Sequence, residues 1–204
     1  MFAVGLTGGI GSGKTTVCNL FRRDFHIDVI CADACAREVI DNPRIVQTII
    51  NKFGKAFRLK EENKINRAKL RHLITEYAVA RKWLNALTHP EIRSLIARKL
   101  QISKSDYMLV DIPLLTKERL SHYPYLKKII TVTSPVSLRV RRITMRDKVK
   151  NDAALAMIKA QVSDDARLSF SDYEIENTRD IEHLQRQVAD LHQVLLDQAA
   201  VLSE

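Results

Sequence analysis

Eight consecutive residues, Gly8-Gly9-Ile10-Gly11-Ser12-Gly13-Lys14-Thr15, hold the most specific chemistry in the chain. They fit the spacing G-x-x-x-x-G-K-[ST] at every defined position. Glycines let the backbone curl until successive N–H groups face inward, a curvature that Cβ atoms would obstruct. Such an array suits phosphate oxygens. Lys14 is then expected to reach the β- and γ-phosphates of a nucleotide and the Thr15 hydroxyl to ligate Mg²⁺. Gly9, Gly11, Ser12, Gly13 and Thr16 complete the expected nucleotide contacts. The plain alternative is a glycine-rich turn with an incidental lysine. Context opposes it, because an apolar stretch at 2–6 precedes the loop and helical character at 15–25 follows it, which also places the loop at a helix N-terminus.

Other residues could act beside that loop. Asp111 ends an apolar run at 107–110, where a carboxylate can hold Mg²⁺ or its water; a turn or capping aspartate is the open alternative. Asp33 follows a short apolar stretch at 28–30, at the strand end where open α/β sheets place ligands. It is the candidate general base, and its alternative occupation is the N-cap of a helix starting near Ala34. Arg142 and Arg146, four apart, share a helical face and suit a developing phosphoryl charge. Their alternative is a solvated basic face. Arg139 and Arg141 are expected to point elsewhere. His89, before Pro90, reads as a packing or capping residue at a helix break.

The elements that must position these residues alternate. Short apolar runs at 2–6, 28–30, 107–110, 128–132 and 173–175 read as strands of a parallel sheet covered on both faces by helices. This is an α/β fold of the P-loop NTPase type. About seventy residues between the second and third strands lack strand character and carry helical periodicity, so they form a helical insertion. Asn42 and Pro43 open one helix there, with Val46, Ile49, Ile50 and Phe53 on its apolar face and Gly54 as its stop. Asn66 caps a second, with Leu70, Leu73, Ile74 and Tyr77 in register and Trp83, Leu84 and Leu87 extending the face until Thr88-His89-Pro90 breaks it. Ile92, Leu95, Ile96 and Leu100 give a third. Near the end, Asp180 caps a helix lined by Ile181, Leu184, Val188, Leu191 and Leu195, expected to cover the sheet.

Composition sets the limits. At 204 residues, 46% hydrophobic and 28% charged, the chain suits one globular domain with an insertion. No apolar run reaches a membrane span and no leader is visible, so a cytoplasmic address is expected. Cys18, Cys31 and Cys35 fit no zinc template and read as free buried thiols. A net charge of +9 favours polyanionic partners, nucleic acid or phosphorylated small molecules alike. A guanine-nucleotide switch would need N-K-x-D and D-x-x-G; Asn51-Lys52 runs on to Phe53-Gly54, and Asp111 to Ile112-Pro113-Leu114.

Several short motifs occur in one order over nearly the whole chain. They are the extended loop Leu6-Thr7-Gly8 to Thr16, Ala32-Asp33 with Arg37, Phe53-Gly54, Asn66-Arg67 with Leu70, and Leu87-Thr88-His89-Pro90. Pro113-Leu114-Leu115, Arg142 with Arg146, Ala160-Gln161, and Asp172 with Asn177 follow. Together they resemble the dephospho-coenzyme A kinase family. The resemblance implies ATP-dependent phosphorylation of the ribose 3'-hydroxyl of dephospho-coenzyme A, the last step of coenzyme A synthesis, with Mg²⁺. It assigns catalysis to Lys14, Asp33, Arg142 and Arg146, the adenine side to Asn177, and metal to Thr15 and Asp111. Acceptor contacts fall to Thr7, Asp33, Arg37, His89, Pro113 and Leu114. It further implies a nucleotide-binding core at 1–36, 105–138 and 166–204, an acceptor-binding insertion at 37–104 and a helical lid at 139–165. The expected enzyme is a monomer or weak homo-oligomer without nucleic-acid or membrane partners. Four positions depart from the family pattern: Cys31 replaces an aspartate, Lys117 a glutamate and Arg139 a glutamine, and Asn177-Thr178-Arg179 replaces Asn-x-Gly. A kinase of another nucleoside, nucleotide or metabolite, and a basic nucleic-acid-binding ATPase, are the rival readings.

Overall fold

The structure, a computed structural model, describes residues 2–59 and 64–201. In chain order its elements are β1 (Phe2–Gly8), α1 (Lys14–Phe25), β2 (Asp28–Cys31), α2 (Ala32–Ile40), α3 (Pro43–Phe53), α4 (Arg67–Glu76), α5 (Ala78–Ile102) and β3 (Tyr107–Asp111). After these come β4 (Leu126–Thr133), α6 (Val136–Asp147), α7 (Asn151–Lys159), α8 (Asp164–Leu168), β5 (Tyr173–Glu176) and α9 (Ile181–Val201). The five strands pair in parallel in the order β2-β3-β1-β4-β5. β1 is buried along its whole length, as a central strand covered on both faces must be. It runs two residues beyond the expected stretch because Thr7 and Gly8 still pair with Thr131 and Val132 of β4. Chain order reverses at β1, whose neighbours are β3 and β4, and the residues after its carboxyl end therefore open onto a crevice between two crossovers.

One face of the sheet is sealed by α1 and α9. Val17, Leu20 and Phe21 of α1 and Leu184, Val188, Leu191 and Leu195 of α9 join Val4, Leu6, Leu109, Ile130 and Val132 in a single buried cluster. Asp180 starts α9 as expected, its Oδ1 accepting from the His183 N–H at 2.8 Å. A smaller apolar cluster, Ile143, Ala154 and Ile158, ties α6 to α7, and Ile10 packs against it.

Residues 32–99 form a compact unit of their own, distinct from that of residues 1–31 and 100–204. Asn42 and Asn66 cap α3 and α4 through bonds of 3.0 Å from the Arg44 and Lys69 N–H groups. Phe53 meets Trp83 edge-on at 5.1 Å. One expectation is corrected here. The helix opened by Asn66 ends at Tyr77, which is 62% exposed rather than part of an apolar stripe, and α5 then runs unbroken through Thr88, His89 and Pro90. Pro90 lacks an N–H and deprives the Ala86 carbonyl of its helical partner, a loss of about 3 kcal/mol in a helix interior. Both residues lie on the exposed side of α5, where water can serve that carbonyl. On the other side Ala80, Leu84, Thr88, Leu95 and Ile96 are buried. Burial of that continuous stripe outweighs the local penalty.

At the far end of the sheet from the glycine loop, the Tyr107 hydroxyl lies 2.8 Å from Nδ1 of His192, whose ring stacks on Phe25 at 4.1 Å. Burial pushes the Tyr107 pKa up, so the phenol keeps its proton, and the direction of its bond to Nδ1 follows the imidazole tautomer. Burial also lowers the His192 pKa, against a smaller raising effect of Asp106. Below about pH 6.5 the unfolded chain therefore takes up a proton that the native imidazole resists, and native stability falls as pH drops. The melting temperature should decline more steeply between pH 7 and pH 5 in the wild type than in His192→Gln, which keeps an acceptor without titrating. Parallel declines in the two proteins would remove His192 from the acid response.

Candidate active site

The loop between β1 and α1 is a curled ribbon with left-handed backbone at Gly11 (φ 77°) and Gly13 (φ 93°). Gly13 caps α1 without any side-chain bond to the first-turn N–H groups, and no acidic residue lies in that turn. The unpaired N–H groups and the positive end of the helix dipole are thus left for an anion. Two glycines are dictated by close approach as well: a Cβ on Gly13 would collide with the Asn177 amide, and one on Gly9 with the Arg139 guanidinium.

A cavity of about 450 Å³ opens over this ribbon, walled by Gly8, Gly9, Ile10, Gly11, Gly13, Lys14, Thr15, Thr16, Pro113, Arg142, Arg146 and Gln161. Its volume suits a nucleotide-sized ligand. Its charged side chains are Lys14, Arg142 and Arg146, all cations. Lys14 is ion-paired with Asp111, each side chain only about an eighth exposed (12% and 13%). Thr15 and Thr16 are exposed on the first turn of α1. Beneath them the Cys18 thiol is pushed up to about 12, by burial first and then by the Asp111 charge, and is an inert apolar filler.

The two arginines four apart on α6 turn out unlike each other. Nη1 of Arg142 lies 3.2 Å and 3.3 Å from the carbonyls of Gly11 and Ser12 and 3.0 Å from the Ser134 hydroxyl. Its Nη2 lies 3.3 Å and 3.1 Å from the Asn177 carbonyl and Oδ1. Burial lowers its pKa, yet a guanidinium stays charged. Arg146, by contrast, has a 62% exposed side chain paired, among the described residues, with its neighbour Asp147 alone, at 2.7 Å. Asn177 is buried, and its Nδ2 donates to the Ser12 carbonyl at 2.8 Å, so its amide is engaged with the loop and with Arg142.

Arg139 does not point elsewhere. It is 3% exposed, and its Nε donates to the Ile10 carbonyl at 2.9 Å while Nη1 pairs with Asp164 at 3.1 Å. Asp164 in turn faces Arg167, which is 1% exposed, at 3.3 Å. The periodicity held the signal: positions 139, 142 and 146 follow i, i+3, i+7 and share one helical face. Gln161, whose Oε1 accepts from the Ile10 N–H at 2.8 Å, is a further wall residue to which the residues alone gave no role.

The remaining candidates divide by location. Thr7 is 0% exposed, its hydroxyl has no hydrogen-bond partner among the described residues, and it is not among the residues that wall the cavity. Ser12 is equally buried, its N–H turned to the Gly9 carbonyl at 3.1 Å, and it shapes the loop from within. Pro113 is on the wall, and Leu114 beside it is 54% exposed. Asp33 is exposed in the first turn of α2, which begins at Ala32 directly after β2; it is a helical residue, and the expected helix start near Ala34 is corrected. The last residue of β2, Cys31, is half-buried and lies opposite Asp111 in the sheet register. Arg37 is exposed on α2, and His89 is half-buried within α5. No group of three or more His, Cys, Asp or Glu side chains suited to a metal occurs among the described residues. One carboxylate and one hydroxyl near a polyphosphate are nonetheless the sparse donor set that Mg²⁺ accepts.

Comparison with known proteins agrees with this geometry. Residues 2–183 match the sequence family described as dephospho-CoA kinase. A dephospho-CoA kinase of Vibrio parahaemolyticus is 38% identical over 195 residues, 95% of this chain and 94% of that protein. A solved structure from Thermus thermophilus superposes with a TM-score of 0.80 at 27% identity, over 95% of this chain and 97% of its own. A dephospho-CoA kinase from Campylobacter jejuni gives 0.71 at 28% identity, over 96% and 98%. Since the similarity runs through the sheet, the insertion and the segment after β4 and is not confined to the glycine loop, the chain belongs to the dephospho-CoA kinase family.

Proposed function

We propose that this chain binds ATP in the cavity over the loop and transfers its γ-phosphoryl group to the ribose 3'-hydroxyl of dephospho-coenzyme A, releasing coenzyme A and ADP. The observation that carries the chemistry is the all-cationic cavity over an uncapped helix start. Family membership supplies the acceptor. A kinase of another small metabolite is not favoured, because the family match covers the insertion as well as the loop.

Asp33 is the proposed base. It accepts the proton of the 3'-hydroxyl as that oxygen forms its bond to the γ-phosphorus; the bond from phosphorus to the β-phosphate oxygen breaks, and ADP leaves with the electron pair. Support comes from its exposure and from its place two residues beyond Cys31, at the carboxyl end of the sheet. Lys14 holds phosphate oxygens, exchanging a bond to Asp111 for bonds to the nucleotide. Arg146, free of the loop, is the cation able to follow the charge that spreads over the transferring group. Thr15 and Asp111 would hold Mg²⁺, which when bound neutralises phosphate charge and orients the phosphates. Arg37, His89, Pro113 and Leu114 are proposed acceptor contacts, and Asn177 lies at the adenine side while fixing the loop. On this reading the insertion at 37–104 serves the acceptor, and the segment 139–165 covers the nucleotide.

The same reading makes the protein a cytoplasmic enzyme, monomeric or weakly associating, with a small-molecule partner and without nucleic acid or membrane. Its three free thiols fit a reducing compartment. Part of its positive excess is concentrated at and behind the phosphate cavity, in Lys14, Arg139, Arg142, Arg146 and Arg167. No described helix is long and apolar enough to cross a membrane.

Lys14→Ala and Asp33→Asn should each leave a folded protein by circular dichroism while removing turnover, the second by about 10²–10⁴-fold in kcat with ATP affinity retained. Near-normal turnover in folded Asp33→Asn would dismiss it as the base. Arg142→Ala and Arg146→Ala separate two roles. The first should lower the melting temperature and weaken ATP binding together, because loop carbonyls lose their donors. The second should shift stability by no more than about 0.5 kcal/mol and act mainly on kcat. Equal thermal shifts for the two would refute the distinction.

A further inference from the structure

Ile10, at the crest of the loop, is gripped on three sides by the chain that follows β4. Its side chain packs on Ile143, Ala154 and Ile158, its carbonyl accepts from Arg139 at 2.9 Å, and its N–H donates to Oε1 of Gln161 at 2.8 Å. The last bond is unexpected in a phosphate loop. The bond brings a side chain from beyond α7 directly onto the loop's backbone.

An amide has two ends, and fixing one orients the other. Because Oε1 is the acceptor for Ile10, the plane of the Gln161 amide is set, and Nε2 with its two N–H donors is directed away from the Ile10 peptide. The backbone of Gln161 is itself fixed at the end of α7, its N–H donating to the Ile158 carbonyl at 3.1 Å. Gln161 is half-buried and lies on the wall of the phosphate cavity together with Lys14, Thr15 and Arg146. Its Nε2 makes no hydrogen bond among the described residues. The wall thus carries, beside its cationic side chains, a neutral amide with two N–H donors that no described residue takes up.

We propose that Gln161 is a phosphate ligand of the donor nucleotide: its Nε2 donates to a phosphate oxygen of ATP while its Oε1 keeps hold of the Ile10 N–H. This rests on the ATP-binding function proposed above. Arg139 is the positioning partner in the arrangement, because holding the Ile10 carbonyl outward aims the adjoining peptide at Gln161.

The test compares two substitutions that a purely structural role and a ligand role rank in opposite order. Gln161→Glu preserves an oxygen for the Ile10 N–H but places a carboxylate oxygen where Nε2 stood, facing phosphate. Gln161→Met removes both ends and keeps the volume. Calorimetric titration of the wild type and both variants with Mg-ATP, with melting temperatures measured alongside, should show the glutamate variant as well folded as the wild type. It should bind ATP about tenfold or more weaker, and weaker than the methionine variant. KM for the acceptor should stay within about twofold. If Gln161 only props the loop, repulsion by the added carboxylate is all that separates the glutamate variant from the wild type, so at high ionic strength it will bind ATP like the wild type while the methionine variant stays impaired, and that result overturns the proposal. A wild-type protein that shows no affinity for ATP would overturn the nucleotide reading itself, and this assignment with it. Turnover by the wild type together with unimpaired ATP binding by Gln161→Glu would overturn the assignment alone.

Discussion

A ribbon whose N–H groups face a phosphate cavity must turn its carbonyls the other way, and each of those carbonyls needs a donor. Here the accounting closes residue by residue. The Gly9 carbonyl accepts from the Ser12 N–H, Ile10 from Arg139, Gly11 from Arg142, Ser12 from Asn177 and Arg142, and Gly13 from the N–H groups of Thr16 and Val17. A buried carbonyl without a donor costs about 1–3 kcal/mol, so three consecutive ones would be enough to collapse the curl. The anion site therefore depends on side chains from α6 and from the residue after β5 that donate to the loop's carbonyls. The glycines permit the shape, and the arginines and Asn177 hold it.

The same donors raise an electrostatic problem, since several guanidinium groups are drawn into a poorly solvated place. A buried cation is tolerable only when paired. Asp164 sits between Arg139 and Arg167 and serves both, and Arg142 is surrounded by five oxygens of backbone, hydroxyl and amide. Lys14 has Asp111. Arg146 is the exception, exposed and held only by the next residue in sequence. In a site of this kind the cation with the weakest protein commitments is the one that can respond to a new charge, and here that cation is also the one nearest the free end of α6.

How far the sequence revealed all this depended on the range of the interaction involved. Local rules were legible: Asn42, Asn66 and Asp180 each cap the helix they precede, five apolar stretches became five strands, and G-x-x-x-x-G-K-T became an anion cradle. Contacts between distant segments were not. An arginine at 139 in a basic helix reads as solvated until the Ile10 carbonyl and Asp164 are known to meet it. Pro90 reads as a break until the buried stripe on both sides of it is seen. Each miss was a case in which burial decided the outcome and nothing nearby in the chain announced the burial.

The bonding pattern also constrains what a covering segment can do here. If α6 swung away as a rigid rod, the carbonyls of Ile10 and Gly11 would lose their donors, Ser12 would lose one of two, and the apolar seat of Ile10 would lose Ile143. That motion dismantles the anion site it is meant to close. The face of α6 up to Ile143 thus belongs mechanically to the loop, although the sequence places it at the start of a lid. Beyond it the constraints relax: Arg146 is exposed, and α6 ends at Lys148 in a left-handed turn (φ 54°), the change of direction that leads into α7. Rearrangement around a bound nucleotide is cheapest in that outer portion, where no loop carbonyl is abandoned.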